Sequence, residues 1–321
     1  MDETEIIETI RYHTGKNNFD NISRTEAYEQ FYYRHPEIRW AFLAAMVSRN
    51  AGWNMSDLYG NLFENLPETF RFHLFLTYER ANWLIFRDAY PQLLLYEYST
   101  LFDRPLFHLL PKFQVSRFMR DEWFRYWEHR NGTRLLYALI INEQNVIQNP
   151  VIQHPFYQKN VFRSFPYKIQ DFFRMNMILF PTSEGKIYGK EIYQFTRTDA
   201  RIHLGKSLAA LLFNPSIHSK IIAFSKRRVH TGSRKDYEEL LSFRTPGITP
   251  PLRKAVPVIY HLPDGGPLWD AKLRIPDRWF QPPREPKVAE MSQRYLRKRQ
   301  EMAILLALFG KVRTKIGKGK G

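Results

Sequence analysis

Apolar residues occur on every side of the helix predicted over residues 38–47, where Arg39 is the one charged side chain. A helix that is apolar all round has to be surrounded by other elements. The polar segment Ser48–Asn50, followed by Gly52 as the first residue beyond the helix, predicts where this helix ends. The sequence therefore predicts a central core helix with polar groups at its end.

Helical periodicity also occurs on both sides of this core helix, with short connections between the periodic segments. Helices are predicted over residues 23–33, 67–89, 116–130, 133–148, 198–213, 215–227 and 233–243. Pro91 is expected to end the long helix, because a proline removes a backbone donor and clashes with the preceding turn. Residues 175–196 change to a strand-like pattern around a Gly-containing break and predict a small β-hairpin or two irregular strands. The predicted fold is mainly α, an irregular multi-helix domain with this hairpin.

A proline-rich segment follows, since residues 245–286 hold ten of the 20 prolines of the chain. So many prolines exclude regular structure, yet the segment carries large apolar side chains such as Trp269 and Trp279. It is predicted to be an extended arm packed on the domain. The predicted organisation is an aromatic-rich helical domain over 1–244, this arm, and a C-terminal helix with a basic tail over 287–321.

The amino-acid composition limits which kinds of functional site the chain can contain. The chain of 321 residues is 44% hydrophobic and 16% aromatic, and it contains no cysteine. Disulfides, thiolate metal sites and a cysteine nucleophile are thereby excluded. The run Met302–Phe309 is short against the about 20 apolar residues that a membrane span needs. The chain is predicted to be cytoplasmic and without a transmembrane span, with a membrane-peripheral position left open.

Charge is distributed unevenly along the chain, whose formal net charge is +16. Residues 1–100 carry nine basic and 14 acidic side chains, and residues 101–321 carry 39 and 18. Such asymmetry favours an anionic partner, which is nucleic acid, an anionic membrane surface or an acidic protein. The alternative is an ordinary soluble protein with many lysines and arginines on its surface.

One stretch resembles a known family. SRTEAYEQFYYRHPEIRWAFLAAMVSRNAGWNMSDLYG, at Ser23–Gly60, is similar to the signature of an uncharacterised "domain of unknown function" family of Bacillus-group bacteria. The likeness extends over most of the chain. It implies family membership, and it implies no activity, ligand or catalytic residue.

The segment Ala200–Ser207 fits a permissive phosphate-binding loop pattern, with Ala in place of the first Gly. Such a loop needs small residues and a preceding buried strand. Here the interior positions are Arg, Ile, His and Leu, and the preceding residues are polar. Helical periodicity explains this segment better.

Charged side chains on apolar helices give the sharpest site hypothesis. The candidate binding residues are the polar side chains at the end of the core helix, Arg49, Asn50, Asn54 and Asp57. Glu79 and Glu143 each lie among apolar residues at helical spacing, and buried charges are seldom tolerated unless paired. Arg49 is therefore predicted to pair with Glu79 or Glu143. The pair is either a structural ion pair or part of a pocket in which one glutamate is a catalytic acid or base.

The C-terminal helix carries two basic clusters around an apolar segment. They comprise Arg294, Arg297, Lys298, Arg299, Lys311, Arg313 and Lys315. This composition suits a helix that lies on an anionic membrane or docks on a protein partner. The alternative is that its apolar residues pack back onto the domain.

Two functional hypotheses follow from these observations. The first, which the visible charge excess favours, is a non-enzymatic basic protein whose C-terminal part contacts nucleic acid or an anionic membrane. The second is an enzyme with a polar pocket formed by Arg49, Asn54 and a buried glutamate. No cofactor or metal site is predicted, because the ten histidines form no pair at helical spacing.

Overall fold

The computed structural model describes residues 2–164, 177–262, 268–271, 275–284 and 288–318, with side chains up to Leu308. The longer helices are α1 (Glu3–Asn17), α2 (Asn21–Arg34), α3 (Arg39–Asp57), α4 (Glu68–Leu101), α5 (Arg117–His129), α6 (Gly132–Val146), α7 (Thr198–Leu212), α8 (His218–Arg227) and α9 (Ser292–Lys318). The predicted mainly α fold is confirmed.

Shorter elements connect these helices. Single α-turns lie at Pro155–Tyr157, Lys235–Glu238 and Leu252–Ala255, and π-turns at Gln148–Ile152 and Gln158–Phe162. The 3-10 turns are Asn61–Phe63, Phe107–Phe113, Trp269–Ala271 and Asp277–Phe280. The helix predicted over 233–243 is only the turn Lys235–Glu238. Ser233 and Asp236 bond to Thr249 and Thr231 instead, and such side-chain bonds compete with helix formation.

The predicted β-hairpin is present. Strands β1 (Met177–Pro181) and β2 (Ile187–Glu191) pair antiparallel, with Leu179 opposite Gly189. The turn between them uses Gly185 at a φ of 75°, a conformation that favours glycine. Residues 175 and 176 of the predicted element lie outside the described residues.

Helix α3 is central, as predicted, since Arg39, Val47 and Asn54 alone among its 19 residues are not buried. The predicted end near Gly52 is wrong, because the helix continues to Asp57. A side chain at Gly52 would place its Cβ 2.3 Å from Asn21 Oδ1 and 2.8 Å from His230 Nε2. Glycine is therefore required here for close packing, and it does not terminate the helix.

Helix α4 is the longest helix described and runs through Pro91, so the predicted break at that proline is also wrong. Every residue from Ala89 to Tyr96 is buried. Burial of this segment offsets the cost of about 3 kcal/mol that proline imposes inside a helix.

Two of the four hydrophobic clusters among the described residues contain most of the core. The larger core contains Trp40, Phe86, Phe107 and Trp123 and joins α1 to α8. The smaller core lies around Met55, Phe75 and Val151, and α9 contributes Met302 and Leu306 to it. The C-terminal helix thus packs back onto the body through one of its faces.

Helix α7 confirms that Ala200–Ser207 is helical. A Cβ at Gly205 would lie 2.8 Å from Ile140 Cγ2 of α6, so this glycine serves helix packing. Lys206 donates hydrogen bonds to the carbonyls of Trp279 and Gln281. The lysine of the supposed phosphate-binding loop therefore anchors part of the proline-rich segment.

Candidate functional site

Arg49 forms an ion pair with Glu29, so its predicted pairing with Glu79 or Glu143 is wrong. Its Nε lies 2.6 Å from Glu29 Oε1 and its Nη2 2.9 Å from Oε2. It also donates to the carbonyl of Arg228 at 3.1 Å. Glu29 projects from α2, which packs along α3. The spacing of apolar residues predicts where the helices are, but it does not predict which helices pack together. Burial raises the pKa of Glu29 despite this pair.

Glu79 belongs to a second buried pair. Arg24 Nη2 donates to both Glu79 oxygens, at 2.6 and 2.5 Å, and His261 Nε2 lies 3.6 Å from Oε1. Burial opposes ionisation of Glu79, but the nearby Arg24 and His261 outweigh it and lower the pKa. This carboxylate holds α4 to α2, and it offers no catalytic acid near neutral pH.

The other predicted residues at the end of α3 are bonded within the fold. Asn50 bridges to β1 through the Leu179 carbonyl and N–H, both at 2.8 Å. Asn54 Oδ1 accepts from Arg234, and Asp57 Oδ2 accepts from Arg234 at 2.7 Å and Arg299 at 3.1 Å.

The cavity beside Asn54 and Asp57 has a volume of about 30 Å³, room for little more than water. A binding role for these residues stays a prediction that this geometry does not favour.

Glu143 has no basic partner among the described residues. Its Oε2 accepts from Trp40 Nε1 at 3.0 Å and its Oε1 from Gln144 Nε2 at 2.9 Å. Burial raises its pKa to about 7, although both hydrogen bonds act in the opposite direction.

A larger cavity lies beside the middle of α4, and we call it the α4 cleft. Its volume is about 900 Å³, and nine of its fifteen lining residues are apolar or aromatic. That size and lining are typical of sites for small organic molecules. Phe113, Phe156 and Trp269 supply aromatic walls, and Asp88 is the single acidic residue that lines it.

Asp88 is held by two amide side chains. Its Oδ2 accepts from Gln92 Nε2 at 2.7 Å and from Asn142 Nδ2 at 2.5 Å. Both bonds fall on Oδ2, and no described residue donates to Oδ1. One oxygen of the carboxyl group is therefore oriented by the protein, and the other is available to a ligand.

Tryptophan donors fix the orientation of those two amides. Trp123 Nε1 donates to Gln92 Oε1, and Trp269 Nε1 donates to Asn142 Oδ1, both at 2.9 Å. An indole N–H is only a donor, so each amide oxygen must face its tryptophan. The NH₂ groups then necessarily point at Asp88, which removes the usual ambiguity of amide orientation.

Burial raises the pKa of Asp88 to about 7, against the lowering effect of the Asn142 and Gln92 donors and the Arg87 charge. At neutral pH this carboxyl group is therefore present in both its protonated and ionised forms. A group of this kind serves as acid or base near its own pKa. His154 also lines the cleft, and its Nδ1 accepts from the Phe156 N–H at 3.3 Å.

Sequence reasoning missed Asp88 because its partners come from separate segments. Gln92 is four residues away on α4, but Asn142 lies on α6 and Trp269 in the proline-rich segment. No spacing links these positions. The one local signal is a carboxylate three residues before a proline, in a stretch where Arg87 is the other charged side chain.

The predicted basic clusters of α9 are partly used inside the protein. Arg299 is 3% exposed and forms an ion pair with Asp57, so the prediction that it belongs to a basic surface patch is wrong. Arg294 pairs with Glu191 at the surface, and Arg297 is exposed. The side chains of Lys311, Arg313 and Lys315 lie outside the described residues.

Lys298, the remaining member, pairs with Glu301 at 2.9 Å. Among the described residues, every helix is too short or too polar to cross a membrane.

Comparisons with known proteins give a family and no activity. Residues 16–303 match the family described as "Protein of unknown function (DUF2515)". The chain is also similar to the uncharacterized protein YppC of Bacillus subtilis (strain 168), with 47% identity over 305 residues, or 95% of each chain. No solved structure matches. These findings confirm the resemblance seen at Ser23–Gly60.

Proposed function

The chain belongs to the DUF2515 family of proteins of unknown function, and we propose that it binds a small organic ligand in the α4 cleft. Asp88 exchanges a proton with that ligand, as in an enzyme that acts by acid–base catalysis. The observation that carries this proposal is the Asp88 carboxyl group, which has a pKa near 7 and lies at the edge of a ligand-sized cavity. Two oriented amide side chains hold this carboxyl group in place.

The position of Asp88 supports a functional role over a structural one. Arg24–Glu79 and Arg49–Glu29 are buried ion pairs, whereas Asp88 has no ion pair among the described residues. A desolvated, unpaired carboxylate destabilises the fold. Groups with such shifted pKa values concentrate at functional sites. Glu143 shares the shift but does not line the cleft, which makes it a matched control.

Binding of aromatic carboxamides such as benzamide tests this proposal. The protein is labelled with 5-fluorotryptophan and observed by ¹⁹F NMR. The Trp269→Phe variant identifies the Trp269 resonance, because that signal is missing from its spectrum. Benzamide should perturb the Trp269 resonance and bind several-fold more tightly at pH 8 than at pH 6. The reason is that its N–H donates more strongly to an ionised carboxylate. The Asp88→Asn variant should lose this pH dependence, and Glu143→Gln should keep it.

Two outcomes contradict the proposal. One is that none of the carboxamides perturbs Trp269. The other is a pH dependence that persists unchanged in Asp88→Asn.

A second candidate function is contact with an anionic membrane through α9. Ile304 and Leu308, one helical turn apart, are 65% and 54% exposed. The following residues 311–321 contain five basic and no acidic side chains. An exposed apolar pair next to a cationic segment is typical of interfacial helices, and it favours a membrane over nucleic acid.

Cosedimentation with phosphatidylglycerol vesicles tests this second function. The wild-type protein should bind at low salt, and the Ile304→Ser/Leu308→Ser variant should bind markedly less, because apolar contact area is lost. Gln293→Ser, also exposed on α9, is the control. Deleting 287–321 would be a poor test, since it removes the buried Tyr295 and Met302.

Equal binding to neutral phosphatidylcholine vesicles would contradict the membrane function. So would unchanged binding of the double serine variant.

A further inference from the structure

A second cavity adjoins the α4 cleft, between α1, α4 and the extended residues 258–261, and we call it the α1 pocket. Its volume is about 500 Å³. The two cavities share walls at Arg87, Phe113 and Gln114. The chemistry of the α1 pocket differs, because Asp88 does not line it and no other carboxylate of the described chain does.

Basic residues from separate elements line the α1 pocket. Arg11 comes from α1, Arg87 from α4 and Lys112 from the turn Phe107–Phe113. Arg11 Nη2 donates to the Lys112 carbonyl at 3.1 Å, which holds the two segments together. Neither Arg11 nor Lys112 forms an ion pair with a described residue. Their charges are therefore available to an anion from solution.

A buried hydroxyl adds a second indication of a ligand. Thr14 lines the same pocket and is 9% exposed, and in the described structure its Oγ1 has no hydrogen-bond partner. An unsatisfied buried hydroxyl is costly. Threonine in a helix populates two χ1 rotamers, and rotation between them exchanges the hydroxyl with the methyl group. The hydroxyl is thus able to turn to a bound oxyanion.

The pocket also offers aromatic surface at its mouth. Tyr260 is 87% exposed and Phe19 is 45% exposed, and both line the cavity. Aromatic side chains with this degree of exposure can stack against the flat ring of a ligand. The cavity is also large enough for an organic molecule, so a bare phosphate ion would leave most of it empty.

We infer that the α1 pocket binds a phosphorylated small molecule that carries an aromatic ring. The phosphate lies among Arg11, Lys112 and the Thr14 hydroxyl, since guanidinium and ammonium groups are the usual phosphate ligands. The ring lies toward Tyr260 and Phe19. This inference is independent of the acid–base role of Asp88.

Isothermal titration calorimetry with adenosine monophosphate tests the inference. Adenosine and inorganic phosphate are titrated separately for comparison, and all titrations are made at the same ionic strength. Adenosine monophosphate should bind more tightly than either part. The Arg11→Ala/Lys112→Ala variant should bind it about tenfold or more weakly, because charge-assisted hydrogen bonds are lost. Both side chains are exposed, so the fold is expected to persist.

Lys16→Ala is the matched control, because Lys16 is an exposed cation of α1 that does not line the pocket. It should bind as the wild type does. Thr14→Val should weaken binding by removing the hydroxyl alone. The inference is overturned if adenosine binds as tightly as its monophosphate or if phosphate alone binds as tightly. Equal weakening by Lys16→Ala would also overturn it, since binding would then reflect net charge.

Discussion

Replacing Asp88 by asparagine should stabilise the protein, and the gain should grow with pH. The ordinary pKa of an aspartate is 3.8, and burial raises that of Asp88 to about 7. Between these values the folded state binds more protons than the unfolded state, so stability falls as pH rises through this window. Above pH 7 the ionised carboxylate costs up to about 4 kcal/mol, and the variant avoids that cost.

Urea unfolding of wild type and Asp88→Asn at pH 5 and pH 8 measures this effect. The difference in the free energy of unfolding should grow by about 2 to 3 kcal/mol between these pH values. Asparagine keeps an oxygen that accepts from Gln92 and Asn142, so the hydrogen bonds persist. A pH-independent difference, or a less stable variant at pH 8, would show that the carboxyl group is not desolvated.

Glu143→Gln should show a similar gain, because burial raises the pKa of Glu143 to about 7 as well. Stability alone therefore does not separate the two carboxyl groups. Their roles differ in ligand binding, where only Asp88 is expected to act.

Replacing Arg49 by alanine should have the largest destabilising effect. The change leaves Glu29 buried without its bidentate partner and removes the donor to the Arg228 carbonyl. Breaking a buried pair in this way costs about 3–5 kcal/mol. Thermal or urea unfolding measures this loss, and a pocket role for Arg49 would instead leave the fold intact.

Arg34→Ala is the matched control, since Arg34 pairs with Glu97 through two hydrogen bonds but is 49% exposed. Exposed pairs contribute about 1 kcal/mol or less. Equal effects of the two substitutions would contradict a structural role for the Arg49–Glu29 pair.

Much of the fold could be predicted from local patterns. The uniformly apolar stretch in α3 and the change of period near the hairpin each depend on neighbouring residues alone. Pro91 and Gly52 gave wrong boundaries because each acts through tertiary packing. Pro91 is kept inside α4 by burial, and Gly52 admits Asn21 and His230.

The candidate site could not be predicted in the same way. The sequence indicated that charges on apolar helices would pair, and Glu79 and Arg49 do, but with Arg24 and Glu29. The choice of partner depends on how helices pack, which hydropathy does not encode. The setting of Asp88 requires residues from α4, α6 and the proline-rich segment to meet.

The pKa of Asp88, measured by ¹³C NMR of its carboxyl group with and without benzamide, tests the role of the α4 cleft most directly. The free protein should titrate near pH 7. Bound benzamide should lower that pKa, because a donor to the carboxylate favours its ionised form. A titration at the ordinary value for aspartate, or one that the ligand does not move, would contradict Asp88 as the acid–base group of this site.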